Sequence, residues 1–120
     1  MQEPENFEFA VASELLKIEC FRTIDRMRLK GELTDEEVAG RHYALYEEIQ
    51  KIRLIQIDGR IVARCCQPFS VQLKSLDAIH LASALAWRES TKETLIFLTH
   101  DDHLGCAAQS HGFSVVGCKK

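Results

Sequence analysis

Three carboxylates, Glu19, Asp77 and Asp101, stand where an acid could do chemistry in this sequence. Asp77 opens the stretch Lys74–Trp87, KSLDAIHLASALAW, which is small and apolar almost throughout after it. A helix apolar on nearly every side is a buried one. Ser75 reads as its N-cap, so Asp77 falls in the first turn, where a negative charge meets the positive helix end. Asp101 lies just past the apolar run Leu95–Thr99. In open α/β sheets, ligand sites gather at the carboxyl ends of the strands. Glu19 sits in the early turns of the helix that follows the first predicted strand. Acids placed at strand ends and helix starts can converge on one edge of a sheet. They then repel one another unless a cation sits among them. Oxygen-only donors without a His or Cys pattern suit Mg²⁺ or Mn²⁺, and two such ions can clamp the attacking and leaving oxygens of a phosphodiester. The plainer alternative is three unrelated cap or surface acids, a role that Asp58 and Asp102 can also fill.

The elements that would position these acids follow from hydrophobic period. Phe7, Phe9 and Val11 alternate with Glu8 and Ala10, which predicts a strand from Phe7 to about Ala12. A helix from about Ser13, its N-cap, to about Leu29 precedes Gly31, with Leu16, Cys20, Thr23, Ile24 and Met27 on one face. Arg22, Arg26, Arg28 and Lys30 give its far end a solvated basic face. Thr34-Asp35-Glu36-Glu37 is a capping box for an amphipathic helix to about Lys51, apolar through Val38, Tyr43, Leu45, Tyr46 and Ile49. Leu54–Ile57 reads as a short strand, Asp58 as the cap of a helical turn or two, and Pro68 as their end. Leu95–Thr99 has the unbroken apolar pattern of a strand buried on both faces. A helix from about Asp102 to His111 stops at Gly112, a favoured C′ residue, and Phe113–Gly117 closes the chain as a strand. Strands alternating with helices predict an α/β domain with a mainly parallel sheet.

Composition narrows the function classes. The 120 residues predict one domain without linker or repeat. A net charge of −3 gives no global basic field to recruit nucleic acid or membrane, and no apolar run approaches transmembrane length. The five cysteines form no C-x-x-C pair, and no secretory leader is read. Reduced, mostly buried thiols in a cytoplasmic protein are expected. No Gly-rich phosphate loop is present. His80 reads as a structural residue of the buried helix, and Trp87 as a packing residue at its end. His100 and His103 flank Asp101 without a standard zinc spacing, though either could touch substrate or metal.

SELLKIECFRTID, LKSLDAIHLASALA and LIFLTHDDHLGCAAQSHGFSVV resemble the successive signatures of PIN-domain ribonucleases of the VapC toxin type, over nearly the whole chain. The resemblance implies a three-layer PIN-like fold spanning residues 1–120 and Mg²⁺- or Mn²⁺-dependent endoribonuclease activity. It assigns Glu19, Asp77 and Asp101 to metal binding and catalysis, Thr99 to a supporting polar role, and Asp102 to an auxiliary acid. RNA is the implied substrate, with an antitoxin protein and a second copy of the chain as implied partners. One departure matters. The family's central first strand carries an Asp in a pattern such as Leu-Asp-Thr-Ser, and Met1–Asn6 holds neither an apolar run nor an Asp. That departure predicts weak or absent metal binding and weakened or lost cleavage. It also predicts open ladder edges on the flanking strands, met by direct closure or by a homodimer, of which the homodimer is expected. Two other readings stand beside the nuclease: a non-catalytic PIN-like module that binds an antitoxin or nucleic acid, and an unrelated small α/β protein whose acids are only caps.

Overall fold

The computed structural model describes residues 9–118. Over these residues the chain is mixed α/β, in the order β1 (Ala10–Ser13), α1 (Leu15–Leu29), α2 (Asp35–Ile49), β2 (Ile52–Ile55), α3 (Gly59–Cys65), α4 (Ser75–Thr91), β3 (Ile96–Leu98), α5 (Asp102–Ser110) and β4 (Ser114–Val116). It divides into two compact units, Met1–Leu54 and Ile55–Lys120. The strands form two two-stranded sheets, β1 with β2 and β3 with β4. The sequence predicts a single sheet. Among the described residues no strand is hydrogen-bonded into both ladders, so each sheet stops at two strands.

The first unit is built on a helical hairpin, α1 packed on α2. Ser13 is buried and its Oγ accepts from the Leu15 amide at 3.0 Å. The helix therefore begins one residue later than the sequence suggests, behind Glu14 rather than Ser13. At the other end Gly31 has φ +74, the Glu32 amide donates to the Met27 carbonyl and the Gly31 amide to that of Arg28. This Schellman ending closes the last turn and requires a left-handed residue. Thr34 and Glu37 form the predicted capping box, with 3.1 and 2.8 Å bonds, which stabilises the start of α2 by about 1 kcal/mol. The Arg53 guanidinium sits 3.9 Å from the Phe9 ring centroid. The first strand forms at Ala10–Ser13, and Phe7 and Glu8 lie outside the described residues. The second forms two residues earlier than its apolar run suggests, because Ile52–Ile55 is the stretch that pairs with β1 while residues 56–58 lead to the Asp58 cap. Ile49 is buried on α2 as expected. Tyr43 and Tyr46, predicted for the same apolar side, are 69% and 54% exposed.

The second unit holds the larger core. Leu81, Leu104, Ala107, Ala108 and Phe113 are buried together, with Phe69, Val71, Leu73, Leu85, Phe97 and Val115 packed around them. Small residues make this close approach feasible: Ala82, Ala107 and Ala108 have no exposure. Asp58 caps α3 as predicted, its Oδ1 accepting from the Arg60 and Ile61 amides at 3.1 and 3.2 Å. An open cleft of about 720 Å³ runs beside α3 and the start of α4, lined by Ile57, Ile61, Cys65, Phe69, Leu73 and Ala78 among others. β3 and β4 pair in parallel, with Ile96 opposite Ser114 and Leu98 opposite Val116. The unbroken apolar run of β3 predicts burial on both faces. Phe97, and Leu95 just before the strand, pack against the core, whereas Ile96 and Leu98 are exposed, Leu98 to 68%. Successive strand residues point to opposite faces, and α5 packs on one face of this short pair.

Candidate functional site

Asp77 and Asp101 belong to the second unit and Glu19 to the first. Asp77 is half-buried in the first turn of α4. Lys74, not Ser75, is the N-cap of that helix, with extended backbone and no side-chain cap bond. The cap lies one residue earlier than expected because Lys74 is the last residue with non-helical dihedrals, which leaves Ser75 already within the first turn. The negative charge of Asp77 is thus left to answer the positive helix end. Among the described residues its carboxylate has no hydrogen-bond or ion-pair partner.

Asp101 is the N-cap of α5, and its Oδ1 accepts from the amides of His103 and Leu104 at 2.9 and 3.0 Å. Thr99 supports it from behind: the Thr99 Oγ1 accepts from the Asp101 amide at 3.1 Å. Thr99 itself extends the β3–β4 ladder by donating its amide to the Val116 carbonyl at 3.1 Å. The Thr-x-Asp step is therefore a pair of nested side-chain turns that fix the exit of β3. Asp102 is exposed in the first helical turn.

Gly117 and Cys118 close the other side of this exit. Gly117 has φ +106, and a Cβ there would lie 2.5 Å from the Thr99 carbonyl oxygen. The Cys118 thiol donates to the carbonyls of Thr99 and Asp101, each at 3.4 Å. Burial first, then the neighbouring Asp102 and Asp101 carboxylates, push this thiol above its ordinary value. It remains a protonated donor rather than a nucleophile. His100 Nδ1 lies 3.0 Å from the Gly117 carbonyl. Position 117 reads in sequence only as the end of a strand; a Gly there was its one signal.

The leading ends of α4 and α5 meet through His103, whose Nε2 donates to the Gln72 carbonyl two residues before the Lys74 cap. This bond joins the approach to α4, the helix that carries Asp77 in its first turn, to the start of α5, which Asp101 caps. Gln72 was invisible to sequence reasoning because it contributes a backbone atom.

Glu19 is half-buried on α1, and its backbone carbonyl accepts from the Thr23 hydroxyl at 2.9 Å. Burial, then the Glu19 charge, pushes the neighbouring Cys20 thiol up. The basic run of α1 is solvated as predicted. Arg22 and Arg28 pair with Asp25 at 3.3 and 2.9 Å, and the Arg28 hydrogen bond holds the Asp25 carboxyl below its ordinary value. Of the cysteines, Cys66 and Cys106 are exposed, unlike the buried thiols expected; Cys20, Cys65 and Cys118 are half-buried.

Among the described residues no group of three or more His, Cys, Asp or Glu side chains is gathered to hold a metal ion. Mg²⁺, however, is commonly held by one or two carboxylates together with waters and substrate phosphates. The Asp77 and Asp101 oxygens fit that smaller requirement in donor chemistry. No helix among the described residues is long and apolar enough to cross a membrane. Comparisons with protein-family models, curated proteins and solved structures found no match.

Proposed function

We propose that this chain is a PIN-like, three-layer domain with weak Mg²⁺- or Mn²⁺-dependent cleavage of RNA phosphodiesters. The carrying observation is the pair of aspartates that begin α4 and α5, whose leading ends are joined by the His103–Gln72 bond. Asp77 and Asp101 would hold the cation. When bound, such a cation supplies an activated water and neutralises charge on the phosphodiester. Asp77 presents a half-buried carboxylate without a partner among the described residues, which suits a cation better than a solvated acid does. The turn formed by Thr99 and Asp101 orients the second carboxylate through amide bonds to one oxygen, Oδ1. Asp102 is an auxiliary acid beside it. The test is cleavage of a single-stranded RNA oligonucleotide in Mn²⁺, with and without chelator. Metal-dependent cleavage lost in both Asp77→Asn and Asp101→Asn supports the reading, and cleavage that survives either substitution refutes it.

A non-catalytic binding module is favoured by a different observation. Ile18, Leu29, Tyr43 and Tyr46 are all more than half exposed on the α1–α2 hairpin, a surface suited to an antitoxin-like protein or to nucleobases. Leu98 on β3 is similarly open, and an exposed apolar strand with only β4 beside it among the described residues favours pairing with a second copy. Light scattering coupled to size exclusion tests the homodimer; a monomer at micromolar concentration excludes it.

A further inference from the structure

We propose that His103 is the positioning residue of the Asp77–Asp101 pair, an inference that rests on the cation reading above. One residue reaches the Asp101 carboxylate with one atom and the approach to the Asp77 helix with another. The His103 backbone amide donates to the Asp101 carboxylate at 2.9 Å, and its ring Nε2 donates to the Gln72 carbonyl. Gln72 belongs to the segment that feeds directly into α4, whose first main-chain bond runs from the Ala78 amide to the Lys74 carbonyl. The ring therefore ties the lead-in of the Asp77 helix to the turn that holds Asp101.

The same segment has a second tie, Ser70 Oγ to Ser110 Oγ, at the opposite end of α5. Between these ties Val71 and Leu73 pack against the core. Core packing and the serine pair hold the segment onto α5, so the ring bond sets only the end nearest Asp77. His103 is exposed in the first turn of α5. A histidine there gains nothing from the positive helix end, so helix stability does not account for it.

Mg²⁺ and Mn²⁺ demand near-ideal ligand placement, and groups that orient metal ligands typically contribute about 10- to 100-fold in affinity. Without the ring, the Asp77 helix start can shift relative to Asp101 and the shared cation loses one ligand. A glutamine amide reaches about as far as the imidazole Nε2 and offers the same donor.

The experiment is Mn²⁺ titration calorimetry on the whole chain as wild type, His103→Ala, His103→Gln and Asp77→Asn, with amide exchange at Ala78 and Ile79 measured in parallel. Expected are a 10- to 100-fold weaker Mn²⁺ affinity in His103→Ala, near-wild-type affinity in His103→Gln, and faster exchange in His103→Ala alone. Wild-type affinity in His103→Ala, or equal loss in the Ala and Gln variants, overturns the proposal. If Asp77→Asn binds Mn²⁺ like wild type, the cation reading fails by itself. The tie is then decided by exchange, and unchanged exchange at Ala78 and Ile79 in His103→Ala refutes it.

Discussion

Replacing Asp101 by Asn and by Ala separates the two jobs assigned to its carboxylate. As a cap, Asp101 Oδ1 accepts two amide bonds, from His103 and Leu104. Alanine removes both and leaves two first-turn donors to water, a loss of about 1–2 kcal/mol for a cap of this kind. In a chain of this length that corresponds to a melting temperature lower by roughly 4–8 °C. Asparagine keeps an acceptor oxygen in the same place and ranks level with aspartate as a cap. It forfeits only the charge facing the helix end, about 0.3–1 kcal/mol or roughly 1–4 °C. As a cation ligand, the ranking reverses its meaning, because a neutral amide is a poor substitute for a carboxylate towards Mg²⁺ or Mn²⁺. Thermal denaturation followed by circular dichroism should place Asn close to wild type and Ala well below it. Mn²⁺ calorimetry should show both variants equally impaired. An Asn variant as unstable as Ala would refute the cap account, and an Asn variant with the wild-type Mn²⁺ heat would refute the ligand account.

Three further outcomes test the packing around the site. Leu81→Ala, at a fully buried position facing Leu104 and Phe113, should cost about 2–5 kcal/mol in urea unfolding; a loss under about 1 kcal/mol would contradict the assigned core. Gly117→Ala forces a side chain into a left-handed backbone and against the Thr99 carbonyl. It should cost at least about 1–3 kcal/mol and, by displacing the β3 exit, weaken Mn²⁺ binding as well; a silent substitution refutes the close approach. His111 Nε2 is buried without a hydrogen-bond partner among the described residues, and burial, then Arg64 and Arg88, hold its pKa below the ordinary 6.5. The folded state thus binds fewer protons than the unfolded one below pH 6.5. Stability present above that value should fall as pH drops through the lowered folded pKa, and His111→Gln should flatten this slope in melts between pH 7 and 5.

Local signals carried much of the secondary structure. The Thr34–Glu37 capping box, the Asp58 cap, Gly31 and Gly112 as stops, and the apolar α4 all formed near their expected places, because each depends on neighbours within a turn or two. What failed depended on distant partners. β2 slid to Ile52–Ile55 because ladder pairing with β1 outweighs its own hydropathy. β3 was apolar throughout yet left Ile96 and Leu98 exposed, since burial of a strand face is decided by what packs on it. Tyr43 and Tyr46 joined an apolar helical stripe in sequence and remained in solvent for the same reason.

The places of Asp77 in the first turn of α4 and of Asp101 at the exit of β3, and the Thr-x-Asp turn itself, were legible from neighbouring residues alone, because the bonds of that turn run between residues two and three apart. The tertiary structure was needed to establish that Asp77 is half-buried and has no partner among the described residues. It alone brought the Gln72 carbonyl to the His103 ring, 31 residues away. It alone set Gly117 against Thr99. Those contacts are made by backbone atoms and by chain segments far apart in sequence. No residue type encodes a carbonyl's position, because every residue carries the same one and the fold chooses which of them a side chain can reach.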